Sequence, residues 1–433
     1  MWRTRPAVRH SESMGVRAGM AALLALPPMA GVNVARDNLG RVGHFAMMID
    51  TAATFPHPAL TASRRDVVVL QRFKTADALR LKAANPRLKV LAYLNLSAMS
   101  YATASGASTG VATPLQDWNG TVTDAGAAYG DGHENWYLHT RSGQRFRFWG
   151  YDWLWAANIA DPGYQRQWAD NAARLLAAHP EFDGIFIDDV NPTIRYHWDT
   201  NDVRELPTDA AYQAATGAAL AAITPRIHAL GRLAYANLGA WADYGDQVRP
   251  WLSQLDGAMD EMWVKWGDGD AARGWRDEAG WARQVANVAA ASAAGVTVLT
   301  VTHSTGTDAA AARYGYASAL LASRGTVLFE ATDDYHTETW FHDYDTNLGA
   351  PTSAMTEDAS GVRRRGFTRG LVLVNPTADT RSVQFGGAFS GDGLKSATAA
   401  KLPGHSALIL TADRPDTLTG TGLAPPTLTA PRA

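Results

Sequence analysis

Two strand-like stretches of the chain end in carboxylates at the same offset from a leading Asp-Gly pair. In FDGIFIDDVN, Asp188 stands five residues after Asp183, and in LDGAMDEMWV, Glu261 stands five residues after Asp256. Side chains alternate along a strand, so Gly184, Phe186 and Asp188 share one face, as do Gly257, Met259 and Glu261. If that face points into a barrel, each strand carries a small residue low down and an acid at its rim. Asp189 and Asp260 then fall on the other face, where they can orient neighbours or meet a helix terminus. Two carboxylates delivered to one pocket from separate strands are what cleavage of a glycosidic bond requires. One protonates the leaving oxygen; the other attacks the anomeric carbon or activates water. For either acid alone, capping of the following helix is the competing reading.

A second echo, AYLNLS (92–97) and AYANLG (234–239), puts Tyr93 and Asn95 on one strand end and Asn237 on another. Hydroxyl and amide groups there suit sugar hydroxyls or a catalytic carboxylate, although the tyrosines could equally pack a barrel core. Asp50 and Glu330 are further strand-end acids, each a candidate ligand-binding group or second catalytic acid. The chain holds 15 tryptophans, most of them between Trp118 and Trp281. Indole faces match the C–H faces of sugar rings, and Trp155 and Trp263 are the expected substrate walls. With Asp189 as a supporting residue, these complete the candidate site.

Other chemistries lack their residues. No cysteine is present, which excludes disulfides, thiolate metal sites and thiol nucleophiles. No G-x-S-x-G elbow, P-loop or H-E-x-x-H occurs, and the run GDGD (267–270) is too short for a calcium loop. No metal and no cofactor are expected. A formal net charge of −3 without a basic stripe argues against a nucleic-acid partner. Apolar runs are too short for a membrane span, which needs about 18 residues.

These residues must be positioned by repeated strands. Candidate strands at 44–50, 66–71, 89–97, 182–189, 232–239, 255–264, 296–303 and 325–332 alternate with helix-like stretches such as 75–85, 164–179, 209–230, 280–294 and 308–323. Continuous apolar strands between helices imply a parallel sheet covered on both faces. Eight of them predict an α/β fold, a (β/α)8 TIM barrel over 36–350. A doubly wound open sheet is the alternative, but the glycine-rich phosphate turn that normally marks one is missing. The stretch 100–161 is a long, tryptophan-bearing insertion after the third strand, on the side where such barrels carry active sites. Short strands separated by Gly, Pro and Asn turns predict a small antiparallel, sandwich-like β domain over 351–412, and the Pro/Thr-rich 413–433 reads as a disordered tail. Residues 1–35 join an arginine-bearing start to a short apolar stretch of small residues. They read as a secretory signal, which predicts a secreted or extracytoplasmic bacterial protein.

FDGIFIDD, NIADPGYQRQWADNAARLL, LDGAMDEMWV and RGLVLVNPT together resemble the glycoside-hydrolase-like barrels related to the endo-α-1,4-polygalactosaminidases. The resemblance extends more distantly to the α-amylase and α-galactosidase superfamily and spans about residues 43–412. It implies that Asp188, closing the fourth strand, is the nucleophile and Glu261, closing the sixth, the proton donor. Phe186 stands where α-amylases carry an arginine two residues before the nucleophile. The expectation is a glycoside hydrolase acting on a poly- or oligosaccharide. Its alternatives are a non-catalytic carbohydrate-binding barrel, or a hydrolase or lyase with a metal held by Asp188, Asp189 and Glu330.

Overall fold

The computed structural model describes residues 42–100, 109–111, 133–148, 154–194, 203–265 and 274–414. The signal-like segment 1–35, Trp118, Trp149, Trp153, Trp266, the GDGD run and the tail beyond Arg414 lie outside these.

The eight apolar segments become eight parallel strands: β1 (Gly43–Met48), β2 (Val67–Gln71), β3 (Lys89–Asn95), β4 (Gly184–Asp188), β5 (Leu233–Asn237), β6 (Gly257–Asp260), β7 (Thr297–His303) and β8 (Val327–Thr332). Each pairs with its neighbours in the chain, and β8 returns to β1, so the sheet is a closed barrel rather than an open one. Helices α1 (Pro58–Arg64), α2 (Thr75–Ala84), α3 (Pro162–Ala178), α4 (Asp209–His228), α5 (Gly245–Val248), α6 (Glu278–Ala293) and α7 (Ala309–Ala322) lie between the strands. Side-chain oxygens of Asp161, Thr208, Asp277 and Asp308 cap α3, α4, α6 and α7. These are the residue types that satisfy the free N–H groups of a helix start.

Both strand faces are buried. The inward face supplies Phe45, Met47, Val67, Val69, Leu91, Phe186, Met259, Leu299 and Val301 to a core inside the barrel. The outward face, with Ala46, Val68, Leu70, Val90 and Val298, joins the helices in a larger core. Gly257 is required in the interior: a Cβ there would stand 2.4 Å from the Tyr235 ring.

The aspartates that lead the strands hold the barrel together at its base. Asp66, Asp183 and Asp256 precede β2, β4 and β6. Each brackets one residue of the preceding strand, giving its own N–H to that residue's carbonyl and accepting that residue's N–H on its carboxylate. The bracketed residues are His44, Val90 and Ala234, with carboxylate bonds of 3.1, 2.9 and 2.9 Å. The Asp-Gly of the sequence motif is therefore a strand staple at one end of the barrel, and the acid five residues on is a rim group at the other.

In the insertion, short strands Ala98–Ser100 and Leu154–Ala156 pair antiparallel, and Trp136, Tyr137, Leu138 and Phe148 are buried beside them. After the barrel come β9 (Thr356–Glu357), β10 (Arg363–Phe367), β11 (Gly370–Asn375), β12 (Arg381–Gly391), β13 (Leu394–Leu402) and β14 (Ser406–Ala412). They form one antiparallel sheet in the order β9-β10-β11-β14-β12-β13. Buried Arg365 of β10 ties the sheet to the barrel, donating to the Leu320 and Ser323 carbonyls at the end of α7 (2.7 and 2.8 Å). No helix among the described residues is long and apolar enough to cross a membrane.

Candidate active site

Five strand ends converge at the C-terminal rim. Asp188 closes β4, Glu261 follows β6, Asn237 closes β5, Tyr93 lies near the end of β3 and His303 closes β7. The Asn237 amide nitrogen donates to Asp188 Oδ1 (2.9 Å) and to Glu261 Oε2 (2.7 Å), bridging the two acids. Tyr93 donates its hydroxyl to Asp188 Oδ2. Tyr335, on the segment after β8, donates to Glu261 Oε1 (2.7 Å), and its hydroxyl oxygen lies 3.2 Å from His303 Nε2.

Burial, followed by the negative charges of Asp189 and Glu261, raises the Asp188 carboxyl above the usual carboxylate range; the bonds from Tyr93 and Asn237 oppose this. Burial and then the neighbouring carboxylates push the Tyr93 and Tyr335 hydroxyls upward, so both remain donors.

The backbone is strained around the same rim. Asp189, Ala240, Val264 and Tyr335 follow β4, β5, β6 and β8, and all sit at φ between 52 and 58°. A β-branched valine in the left-handed region is unusual, and such strain collects at functional sites.

The remaining sequence candidates divide. Asp189 turns away from Asp188: its carboxylate accepts from Asn95, while its carbonyl accepts from Ser97 (2.7 Å). Asn95 therefore pairs with Asp189 rather than with the acid pair. Asp50 is exposed beside the rim, and its backbone N–H braces the Tyr335 carbonyl (3.2 Å). Trp155 is half-buried in the insertion, with the Arg147 guanidinium 3.8 Å from its ring centroid. Two candidates must be withdrawn from substrate contact. Trp263 is 0% exposed, its indole N–H bonded to the Gly315 carbonyl of α7, because the strand has ended and the chain turns the ring outward. Glu330 is 3% exposed and accepts the Met47 N–H (2.8 Å) within the barrel wall, where burial raises it to about 8. Among the described residues no three acids or histidines could hold a metal ion, so Asp188, Asp189 and Glu330 do not form the metal set considered above.

Sequence reasoning missed Tyr335 and His303. His303 shares the inward parity of Leu299 and Val301 and could have been found by counting; Tyr335 lies in a loop, where no periodicity points to it. A cavity of about 270 Å³ opens beside Glu261, lined by Trp241, Tyr244, Asp260, Met262 and Arg276 among others. Gln284 holds Asp260 through two contacts of 3.1 Å, and burial pushes the Asp260 carboxyl up to about 6.

A family model described as hypothetical glycosyl hydrolase family 15 matches residues 82–371, more than half of the chain. No curated protein matches. Similar solved structures include the glycoside hydrolase domain of PelA from Pseudomonas aeruginosa, at 18% identity and a TM-score of 0.43. That match covers 68% of this chain and 95% of that one. A cycloalternan-degrading enzyme from Trueperella pyogenes is 10% identical with a TM-score of 0.44, covering 86% of this chain and 62% of that one. A GH27 β-L-arabinopyranosidase from Geobacillus stearothermophilus is also 10% identical, with a TM-score of 0.43 and coverage of 89% and 98%.

Proposed function

The chain belongs to hypothetical glycosyl hydrolase family 15, and from that premise we propose that it hydrolyses an O-glycosidic bond of a polysaccharide with Asp188 and Glu261. The observation that carries this reading is the shared Asn237 amide, which holds both carboxylates at one point of the barrel mouth.

Hydrogen bonding supports a division of roles. If Glu261 carries the proton on Oε1, it donates to the Tyr335 hydroxyl, whose own hydrogen then turns to His303 Nε2. Tyr93 and Asn237 present hydrogens to the two oxygens of Asp188. Glu261 is then the proton donor and Asp188 the nucleophile.

An Asp188 oxygen attacks the anomeric carbon as the glycosidic C–O bond breaks, and the Glu261 proton passes to the leaving oxygen. Ionised Glu261 then takes a proton from water, whose oxygen displaces Asp188 from the sugar. The two carboxylate oxygens that share Asn237 lie no farther apart than its two bonds laid end to end. That favours the close pair of a retaining enzyme (about 5–5.5 Å) over the about 6.5–9.5 Å of an inverting one. The signal-like residues 1–35 support action outside the cytoplasm, which detection of the protein in culture medium would check.

The deciding experiment is reducing-end release from a panel of polysaccharides that includes amino-sugar polymers. Asp188→Asn and Glu261→Gln should each lower turnover by about 10²–10⁴-fold with folding intact. Wild-type turnover by Asp188→Asn would overturn the assignment, and glycan binding without hydrolysis by the wild type would leave a binding barrel in its place.

A further inference from the structure

Asp188 and Glu261 are carried differently by their strands. Asp188 is the last residue of β4 and sits within the ladder, opposite Asn95 of β3. Glu261 lies one residue beyond β6, whose ladder ends with Asp260 opposite Thr300 of β7. Strand pairing therefore does not fix Glu261, and the turn that carries it must be held by other bonds.

Gln284 of α6, 0% exposed, reaches this turn from the helix layer. Its Nε2 donates to both carboxylate oxygens of Asp260 (3.1 Å each) and to the Met262 carbonyl (2.8 Å). Its Oε1 accepts the Val264 N–H (2.9 Å). The Met262 N–H in turn bonds the Asp260 carboxylate. The residues that adjoin Glu261 on both sides are thus tied to one buried amide. Glu261 sends its own carboxylate the other way, to Asn237 and Tyr335 (2.7 Å each). Trp263 is held by β7, through the Val301 carbonyl (2.9 Å) and the Thr302 hydroxyl (3.1 Å), and fixes only the far end of the turn.

A primary amide suits this place because it offers two hydrogens and an acceptor in one plane. A hydroxyl has one hydrogen, and an ammonium has no acceptor. The bond to Val264 has a further consequence. Val264 sits at φ 58°, a costly conformation for a β-branched residue that persists only where its surroundings enforce it. Releasing its N–H lets the chain relax toward the extended region and carry the preceding residues with it. If Gln284 served only to satisfy a buried carboxylate, its loss would lower stability and leave Glu261 in place.

We propose that Gln284 is a positioning residue: through Asp260, Met262 and Val264 it sets the Glu261 carboxylate against Asn237 and Tyr335. The inference rests on the reading of Glu261 as proton donor, and one arm of its test is independent of that reading. Gln284→Met keeps the length of the side chain and removes its hydrogen bonds. Asp260→Asn is milder, leaving one oxygen for the N–H groups of Gln284 and Met262.

The first arm compares crystal structures of the full-length wild type and variants. In Gln284→Met the Glu261 carboxylate should move by about 1 Å or more and lose its bond to Asn237 or Tyr335. Asp260→Asn should show a smaller shift. The second arm measures turnover on a panel polysaccharide that the wild type hydrolyses. In Gln284→Met, kcat should fall about 10- to 100-fold with KM held within about twofold, and in Asp260→Asn kcat should fall severalfold. Added to Glu261→Gln, neither change should cost anything further, because each acts through the group already removed. The inference is overturned if Glu261 keeps both bonds in Gln284→Met, or if the loss in kcat multiplies undiminished with that of Glu261→Gln. Should Gln284→Met fail to fold, Asp260→Asn decides by the same criteria. If the wild type hydrolyses nothing in the panel, the hydrolase reading fails, and the position of Glu261 in the first arm alone decides the role of Gln284.

Discussion

Asn237 offers a single amide nitrogen to two carboxylates, so its loss acts on both. In Asn237→Ala the acids lose their common donor, and their repulsion is free to separate them. Turnover is expected to fall about ten- to a hundredfold, the equivalent of one or two hydrogen bonds to charged groups, with an unchanged circular dichroism spectrum. Glu330 gives a prediction about pH. Burial first, opposed by the Arg65 charge and the Met47 N–H, raises it from 4.5 to about 8. A raised value means the folded state binds this proton more tightly than the unfolded chain. Stability from that proton is whole below about pH 4.5 and is lost as pH rises through about 8. Glu330→Gln keeps an acceptor for Met47 and removes the titration. Its melting temperature should pull ahead of wild type across that window, by the equivalent of a few kcal/mol at the upper end. Strand parity made Asp188, Glu261, Tyr93 and Asn237 legible in sequence, because alternation fixes which face a side chain takes. Trp263 rests on indole chemistry rather than parity, and that chemistry does not register that the strand ends at Asp260 and that Val264 turns to φ 58°.

The barrel strands were readable as elements because a parallel strand buried on both faces is apolar along its whole length. Five of the eight C-terminal limits read one to four residues too long: 182–189 shrinks to Gly184–Asp188, and 255–264 to Gly257–Asp260. Rim residues such as Asp189 leave the strand conformation, and composition does not register that turn. The role of the leading aspartates was hidden as well, since each contacts a residue more than 20 positions earlier in the chain. That role is testable. Asp256→Ala removes the acceptor for the Ala234 N–H and the partner of His228 Nε2 (2.9 Å). Leaving the buried N–H unmatched should cost about 1–3 kcal/mol in urea unfolding. Asp256→Asn, which keeps a side-chain oxygen for Ala234, should recover part of that loss. Equal loss in the two variants would show that the carboxylate's charge, rather than its oxygen, holds β5 to β6.

At the scale of the molecule, α7 is buried on nearly all sides: Tyr314 through Ala322 are all buried. A helix hydrophobic all round lies inside a protein rather than on its surface. One side of α7 meets the barrel, where its Gly315 carbonyl takes the Trp263 indole N–H. Another meets the C-terminal sheet, where Arg365 reaches the carbonyls of Leu320 and Ser323 and Arg313 pairs with Asp392 at 2.8 Å. The His405 ring, on the turn before β14, adds a stacked contact with Trp275, which in turn meets Tyr314 edge-on. The sheet thus completes the helix layer of the barrel instead of hanging from it by a linker. Two consequences follow from this packing. Calorimetry of the full chain should show a single cooperative transition, with barrel and sheet unfolding together. A chain ending at Ala350 would expose the sheet-facing side of α7 to water and leave the carbonyls of Leu320 and Ser323 without Arg365. It should melt far below the full chain or fail to fold, and restoring residues 351–412 should rescue it. Two separate transitions in the full chain, or a truncated barrel of undiminished stability, would show that α7 does not need the sheet.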